Sequence, residues 1–159
     1  MLRVCYVLLI FLIAMETFSQ STQSDRQPVA AGRFYSANCE TLKGDLDRLF
    51  ESCVKTKIHG NVRAIISPHA GYIYSGRVAA SAFSVIDRST RYKNIFVIGS
   101  SHIMAFDGAS VYDAGDFITP LGKLTVNREI AMKLRKEKVF NFPVNAHNQE
   151  HSLEVQMPF

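Results

Sequence analysis

The chain has 159 residues, of which 47% are hydrophobic and 20% charged, a composition that excludes disordered, collagen-like and coiled-coil proteins. Its formal net charge is +4, and the basic residues are scattered along the chain. A protein that binds nucleic acid usually concentrates basic residues on one arm or face, so we expect no nucleic-acid partner.

The first 21 residues have the three-part pattern of a secretory signal peptide. Arg3 supplies the positive charge, residues 4–14 form an apolar run, and small residues recur around Ser19. The run is too short for a stable membrane span, which needs about 20 apolar residues. We therefore predict a protein that is exported to the periplasm or secreted. An uncleaved anchor and a misassigned start codon are the alternatives.

The rest of the chain alternates predicted helices and strands. Residues 22–27 are polar and are predicted to form a flexible arm. Beyond the arm, apolar residues recur at helical spacing between residues 42 and 53, and Asn38 or Ser36 is placed to cap that helix.

Two β-rich runs follow, over residues 62–67 and 94–98, with a helix rich in small residues between them. The second run is nearly all apolar, as a strand buried on both faces of a parallel sheet must be. Further strands are predicted over residues 109–112 and 123–126, and Asn127 is predicted to cap a following helix. These features predict an α/β fold with a mostly parallel sheet and flanking helices.

A histidine follows each of the two β-rich runs. His69 comes after the first run and His102 after the second, and the interval between them is about one βαβ unit. A right-handed crossover would bring both to the carboxyl edge of the sheet, where ligands bind. Because neutral imidazole is a common ligand for zinc, copper and iron, we predict a shared metal site. The alternative is that each histidine only caps a turn.

A catalytic metal usually has three protein ligands and one open position, so a third group is expected. Glu150 and His151 are the candidates near the end of the chain, and we predict that they position a substrate or move a proton. Four other polar residues are interpreted as loop or solvent-facing positions: His59, His147, Glu154 and Gln156.

Four segments carry a recognisable pattern in a fixed order along the chain. They are residues 28–35 (PVAAGRFY), 67–76 (SPHAGYIYSG), 98–102 (IGSSH) and 150–159 (EHSLEVQMPF). In these residues the chain resembles the Memo-like family, also called AmmeMemoRadiSam system protein B. The P-H-A-G-Y and E-H-S-L-E motifs together are specific, whereas either alone would be a moderate signal.

The resemblance implies a fold similar to that of class III extradiol dioxygenases, with iron or copper as the metal and zinc as an alternative. By motif, His69 and His102 match the two metal-site histidines of the family, and Glu150 and His151 match a motif near the pocket. Residues 28–159 would correspond to the N-terminal part of a longer domain. A domain truncated at its C-terminus would lack later site residues, including a cysteine and a histidine, and would expose an apolar sheet edge.

The resemblance therefore implies a metal-binding protein with dioxygenase-like or redox activity when full-length, and an inactive protein over residues 28–159 alone. A non-catalytic module that binds a peptide or small ligand in the same crevice is the alternative. The family name also implies a partner in a radical-SAM system.

Overall fold

The computed structural model describes residues 24–58, 60–140 and 144–159. The predicted signal peptide over residues 1–21 lies outside these ranges, as does His59, so both stay predictions. Within the described ranges, no helix has both the length and the apolar character that a membrane crossing requires.

The first helix, α1, spans Cys39–Ser52 and confirms the helix predicted from apolar spacing. It begins where Asn38 caps it, because the side-chain Oδ1 of Asn38 accepts a hydrogen bond from the backbone N–H of Thr41 at 2.9 Å. Its inner face buries Leu42 and Leu46. The helical spacing of the apolar residues therefore places them on the face of α1 that packs against the core.

The second helix, α2, spans Tyr72–Phe83 and packs against α1. The close approach depends on Gly76, since a Cβ at that position would lie 2.8 Å from the side chain of Leu49. Ala79 is buried, whereas its neighbour Val78 is 61% exposed. The small residues of α2 form its inner face, and the larger valine points to solvent.

A short hairpin and a third helix follow. β1 (Phe117–Thr119) pairs antiparallel with β2 (Gly122–Leu124), with Phe117 opposite Leu124. Helix α3 (Arg128–Leu134) begins after Asn127. The side chain of Asn127 accepts a hydrogen bond from the backbone N–H of Ile130, as expected for a helix cap. The chain then forms 3-10 turns at Lys138–Phe140, Val144–His147 and Glu154–Gln156.

The observed architecture is a mixture of helices and a small sheet, and the mostly parallel sheet is not seen in the described ranges. Residues 62–67 and 94–98 were predicted to be its strands, yet they are assigned to neither helix nor strand. The two strands that are assigned pair antiparallel. A strand needs a neighbour to complete its hydrogen-bond ladder, and the apolar content of these runs alone does not supply one.

The start of the described chain, from residue 24, is held against β1, and residues 22 and 23 of the predicted flexible arm over 22–27 lie outside the described ranges. The backbone N–H of Arg26 donates to the carbonyl of Asp116 at 2.8 Å, and the N–H of Ile118 donates to the carbonyl of Arg26 at 2.9 Å. Arg26 is only 5% exposed. A polar sequence can therefore be buried when its partners lie elsewhere in the chain.

The core joins this N-terminal stretch to α1 and to the last turn of the chain. Its buried members are Ala30, Tyr35, Leu42, Leu46 and Val155. Phe159 packs beside them and stacks on Phe83 with ring centroids 5.1 Å apart. The C-terminal residues are thus part of the core and bring the E-H-S-L-E motif against the N-terminal half of the chain.

Candidate metal centre

Three histidines meet at one point of the molecule. A ring nitrogen from each of His69, His102 and His151 lies within 4.8 Å of the other two. The Nε2 atoms of His69 and His102 are 3.4 Å apart. Two nitrogens that each lie about 2.1 Å from a tetrahedral cation would be separated by about 3.4 Å. The spacing of these two imidazoles therefore fits a shared metal ion.

The local backbone brings His69 and His151 together. His69 follows Pro68, whose carbonyl accepts a hydrogen bond from the Nε2 of Gln156 at 3.0 Å. The ring of Phe34 packs on the ring of His151, with centroids 4.4 Å apart. Gln156 thus holds the loop that precedes α2 and carries His69, and the contact with Phe34 holds the ring of His151.

The second histidine is held by the same C-terminal segment. The hydroxyl of Ser152 donates to the carbonyl of Ser100 at 2.8 Å. This approach requires Gly99, because a Cβ there would lie 2.6 Å from the Oγ of Ser152. The glycine of the I-G-S-S-H segment therefore lets the E-H-S-L-E segment lie directly against the backbone that carries His102.

Glu150 orients one of the three imidazoles. Its Oε1 lies 2.9 Å from the Nδ1 of His102, and its Oε2 accepts the backbone N–H of His102 at 2.5 Å. The backbone N–H groups of His151 and Ser152 also donate to Oε1, both at 2.9 Å. A carboxylate bonded to Nδ1 fixes the proton there and leaves the lone pair of His102 on Nε2, which faces the other histidines.

The charge of Glu150 is stabilised by the same contacts. Burial by itself raises the pKa of this carboxyl, but the hydrogen bonds from His102 and Ser152 outweigh burial and lower the pKa to about 2. The group is therefore an anion at neutral pH, which suits an acceptor that orients an imidazole. Its predicted part in proton movement stays a prediction.

His151 is suited to act as a neutral ligand. Burial lowers its pKa, and the nearby rings of His102 and His69 lower it further, against an opposing effect of Glu150. A metal binds the unprotonated imidazole, so a lowered pKa keeps the ligand form available near neutral pH. The sequence singled out His151 as a candidate third group, and the structure places it in the cluster.

A shallow, open hollow of about 570 Å³ lies beside the histidines. Its walls are mostly apolar and aromatic, with His69 and His151 at one side and Phe34, Pro68 and Tyr74 among the remaining lining residues. Ligand sites commonly combine such apolar walls with a few polar groups that fix orientation. A small molecule or a peptide side chain could therefore reach the cluster from this side.

The interpretation of Glu154 as a solvated residue was wrong. Its side chain is fully buried, and Oε2 accepts from the Nη1 of Arg26 at 2.7 Å. Oε1 accepts from the hydroxyl of Tyr35 at 2.6 Å and from the backbone N–H of Ala30 at 2.8 Å. Because these partners lie more than a hundred residues away in sequence, no local pattern reveals them.

The other two histidines lie apart from the described cluster or outside the described ranges. His147 is buried, and its ring lies 5.6 Å from the ring of Tyr112. His59 falls in a gap of the described ranges. The residues that the sequence analysis missed are Phe34, which contacts His151, and Arg26, which pairs with Glu154. Both lie in or beside the first matched segment, which is the one signal that could have drawn attention to them.

Comparison with known proteins agrees with the motifs. The family model described as Memo-like protein matches residues 26–159. The Protein memo-1 homolog of Caenorhabditis elegans is 35% identical over 150 residues, which cover 94% of this chain and 41% of that protein. A MEMO1 family protein of Pyrococcus abyssi is 34% identical over 135 residues, which cover 84% of this chain and 46% of the relative.

A MEMO1 family protein of Caldivirga maquilingensis is also 34% identical, over 143 residues that cover 84% of this chain and 50% of the relative. The chain therefore spans about half the length of the curated relatives that it matches.

Proposed function

Because the chain belongs to the Memo-like family, we propose that it contributes a metal site to a protein with redox or dioxygenase-like activity. The observation that carries this proposal is the convergence of His69, His102 and His151 within 4.8 Å. Three protein ligands with a remaining open position are the usual form of a catalytic metal site.

The donor set narrows the choice of cation. Imidazole suits iron, copper and zinc, and we propose iron or copper, with zinc as the alternative. When bound, such an ion would supply redox or Lewis-acid chemistry at the mouth of the hollow. Glu150 keeps the Nε2 of His102 directed at the cluster, and Phe34 keeps the ring of His151 in place. Glu150 and His151 also remain our candidates for positioning a substrate.

A second function is favoured by the hollow itself. Its largely apolar and aromatic lining would suit a non-catalytic module that captures a peptide or a small ligand, with the histidines as polar anchors. Oxygen consumption that depends on added iron or copper would distinguish the redox protein from this module. A protein that binds metal stoichiometrically but consumes no oxygen under these conditions would favour the binding module.

The fold, the location and one partner also belong to this proposal. We expect the complete family domain to contain a mostly parallel sheet similar to that of class III extradiol dioxygenases. We propose export through residues 1–21, which N-terminal sequencing of the extracellular or periplasmic protein would test. A radical-SAM partner is proposed from the family resemblance, and a gene for such an enzyme beside this one would support it.

Metal titration of histidine variants tests the metal site directly. Iron(II), copper and zinc are added to the full chain and to its His69→Ala, His102→Ala and His151→Ala variants, and bound metal is measured after gel filtration. We expect each substitution to abolish stoichiometric binding. The matched control is His147→Gln, which removes a histidine outside the cluster and should leave binding intact. Retention of metal by both His69→Ala and His102→Ala would refute the site.

A further inference from the structure

Two loops of the chain, residues 54–58 (VKTKI) and residues 88–93 (RSTRYK), carry a concentrated positive charge. Together they hold five basic residues and no acidic residue, whereas the net charge of the whole chain is only +4. All five lie at exposed positions, and they are Lys55, Lys57, Arg88, Arg91 and Lys93. The rest of the chain is therefore close to neutral, and these two loops account for its basic character.

The fold brings the two loops together from separate parts of the sequence. The backbone N–H of Val54 donates to the hydroxyl of Ser81 at 3.0 Å, which holds the start of the first loop on the last turn of α2. The second loop follows that same end of α2. Its Tyr92 donates a hydroxyl hydrogen bond to the carbonyl of Val62, just beyond the first loop, at 2.9 Å. The five cations therefore lie on one surface beyond the end of α2.

None of these five cations has an acidic partner among the described residues. Basic residues elsewhere, such as Lys133 and Arg135, form ion pairs with nearby carboxylates. Asp87 lies beside the second loop, but its carboxylate accepts hydrogen bonds from the backbone N–H and the hydroxyl of Ser89. Like charges that are grouped without counter-charges repel one another, and an anionic partner would relieve this repulsion.

Exposed apolar and aromatic side chains lie among the cations. Val54 is 61% exposed and Ile58 is 52% exposed at the two ends of the first loop, and Tyr92 is 40% exposed in the second. A bilayer accepts cations at its anionic headgroups and apolar side chains just below them, and tyrosine is enriched at that depth. Nucleic acids and acidic polysaccharides offer no such apolar layer. The mixture of side chains therefore favours a lipid surface over these other polyanions.

We propose that residues 54–58 and 88–93 form a site that binds the surface of an anionic lipid bilayer. The five cations lie at the level of the headgroup phosphates, and the two aliphatic side chains of the first loop enter the boundary of the acyl chains. The loops adjoin the starts of the two β-rich segments, whereas His69 and His102 follow the ends of those segments. A bound membrane thus leaves the hollow beside the histidines open to water.

Vesicle sedimentation tests this site. The full chain is mixed with vesicles of phosphatidylcholine alone and with vesicles that also contain phosphatidylglycerol, each at low and at high salt, and the bound protein is measured. We expect binding only to the vesicles that contain phosphatidylglycerol, and weaker binding at high salt because ions screen exposed charges. Adsorption through exposed apolar residues alone would be equal on both kinds of vesicle, and that result would overturn the proposal.

Charge removal establishes the location. A double variant, Lys55→Gln with Lys57→Gln, should bind roughly 30-fold more weakly, since each basic residue at an anionic surface contributes about fivefold. The matched control is Lys136→Gln with Lys138→Gln, which removes the same charge at the same spacing from exposed positions outside the loops. The control should bind nearly as tightly as the parent chain. An equal loss in the two double variants would show that net charge, and not this surface, drives binding.

The apolar contribution is measured at high salt, where the contribution of the charges is screened. Ile58→Ser should weaken the binding that remains, whereas Val139→Ser, at a position that is also 52% exposed, should not. The proposal is overturned if these two variants bind equally or if the parent chain binds no vesicles. It is also overturned if the lysine variant of the first loop loses binding to duplex DNA while its binding to vesicles is unchanged.

Discussion

Polar residues usually lie on the surface of a protein and apolar residues in its core. The C-terminal segment (residues 150–159) and the two β-rich segments (residues 62–67 and 94–98) show the reverse. Glu154 in the turn is charged and fully buried, whereas Ile98 in the second segment is apolar and 93% exposed. The difference lies in where their partners are. Arg26 and Tyr35, which satisfy the carboxylate of Glu154, belong to the described chain, but nothing in the described ranges covers the isoleucine. The carboxylate of Glu154 therefore has its hydrogen-bond partners within the described chain, whereas the side chain of Ile98 has no covering residues there.

The candidate metal centre lies at the boundary between these two regions. His151 lies in the C-terminal segment, residues 150–159, which the buried Glu154 anchors, and it packs against Phe34. His69 and His102 follow the uncovered segments and are tied back to the turn by Gln156 and Glu150. One histidine of the cluster thus lies in the C-terminal segment, and the other two depend on contacts between the two regions.

The largest expected effect comes from breaking the buried ion pair. Glu154→Ala leaves the guanidinium of Arg26 buried without its carboxylate and removes the acceptor for the hydroxyl of Tyr35. Loss of one partner of a buried pair typically costs about 3–5 kcal/mol. We expect the free energy of unfolding, measured by urea denaturation, to fall by this amount.

The control for Glu154→Ala is another glutamate that pairs with a basic residue. Glu129 contacts Lys133 at 2.6 Å, but both side chains are largely exposed. Exposed pairs on a helix contribute about 0.3–0.5 kcal/mol, so Glu129→Ala should change stability by no more than this. Equal losses in the two variants would show that the C-terminal turn is not anchored by its carboxylate.

The next largest effect is expected from removing the contact between Glu150 and His102, which joins the two regions at the candidate metal centre. Glu150→Gln keeps the shape of the side chain but removes the charge that fixes the tautomer of His102. Groups that orient a metal-bound histidine usually contribute 10–100-fold to metal affinity. We expect iron or copper affinity, measured by competition with a chelator, to fall by about that factor.

The effect of Glu150 on metal affinity, through its hydrogen bond to His102, can be separated from its effect on the stability of the fold. The thermal transition of the metal-free Glu150→Gln variant gives the change in fold stability, and Glu150→Asp should recover part of the affinity because it restores a carboxylate. Unchanged affinity in Glu150→Gln would contradict the orienting role.

Sequence reasoning identified features that depend on local periodicity and chain order. The helix behind Asn38 follows from apolar spacing and a capping residue, and the meeting of His69 with His102 follows from equivalent positions after two β-rich runs. The burial of Glu154 could not be predicted, because its partners are more than a hundred residues away. The parallel sheet was predicted from the alternation of helices with apolar β-rich runs, and that pattern does not specify which segment supplies the neighbouring strand.

A smaller effect concerns pH and the buried His147. Burial lowers its pKa, so the folded protein holds the neutral ring, whereas the unfolded chain is protonated near its ordinary value of about 6.5. Protons therefore bind the unfolded state more readily, and stability should decline as pH falls below about 6.5. We expect the drop in Tm between pH 7.5 and pH 5.5 to be smaller in His147→Gln than in the parent chain. An identical drop in both proteins would show that His147 does not contribute.

The smallest effect is expected in the uncovered region, and it sharpens the comparison most directly. Ile66→Ala removes a side chain that is 97% exposed, so the free energy of unfolding should change by no more than about 0.5 kcal/mol. The similar truncation Leu42→Ala in α1 removes a fully buried side chain and should cost about 2–5 kcal/mol. A large loss of stability from Ile66→Ala in the chain alone would mean that residues 62–67 are already packed, and the contrast between the two regions would disappear.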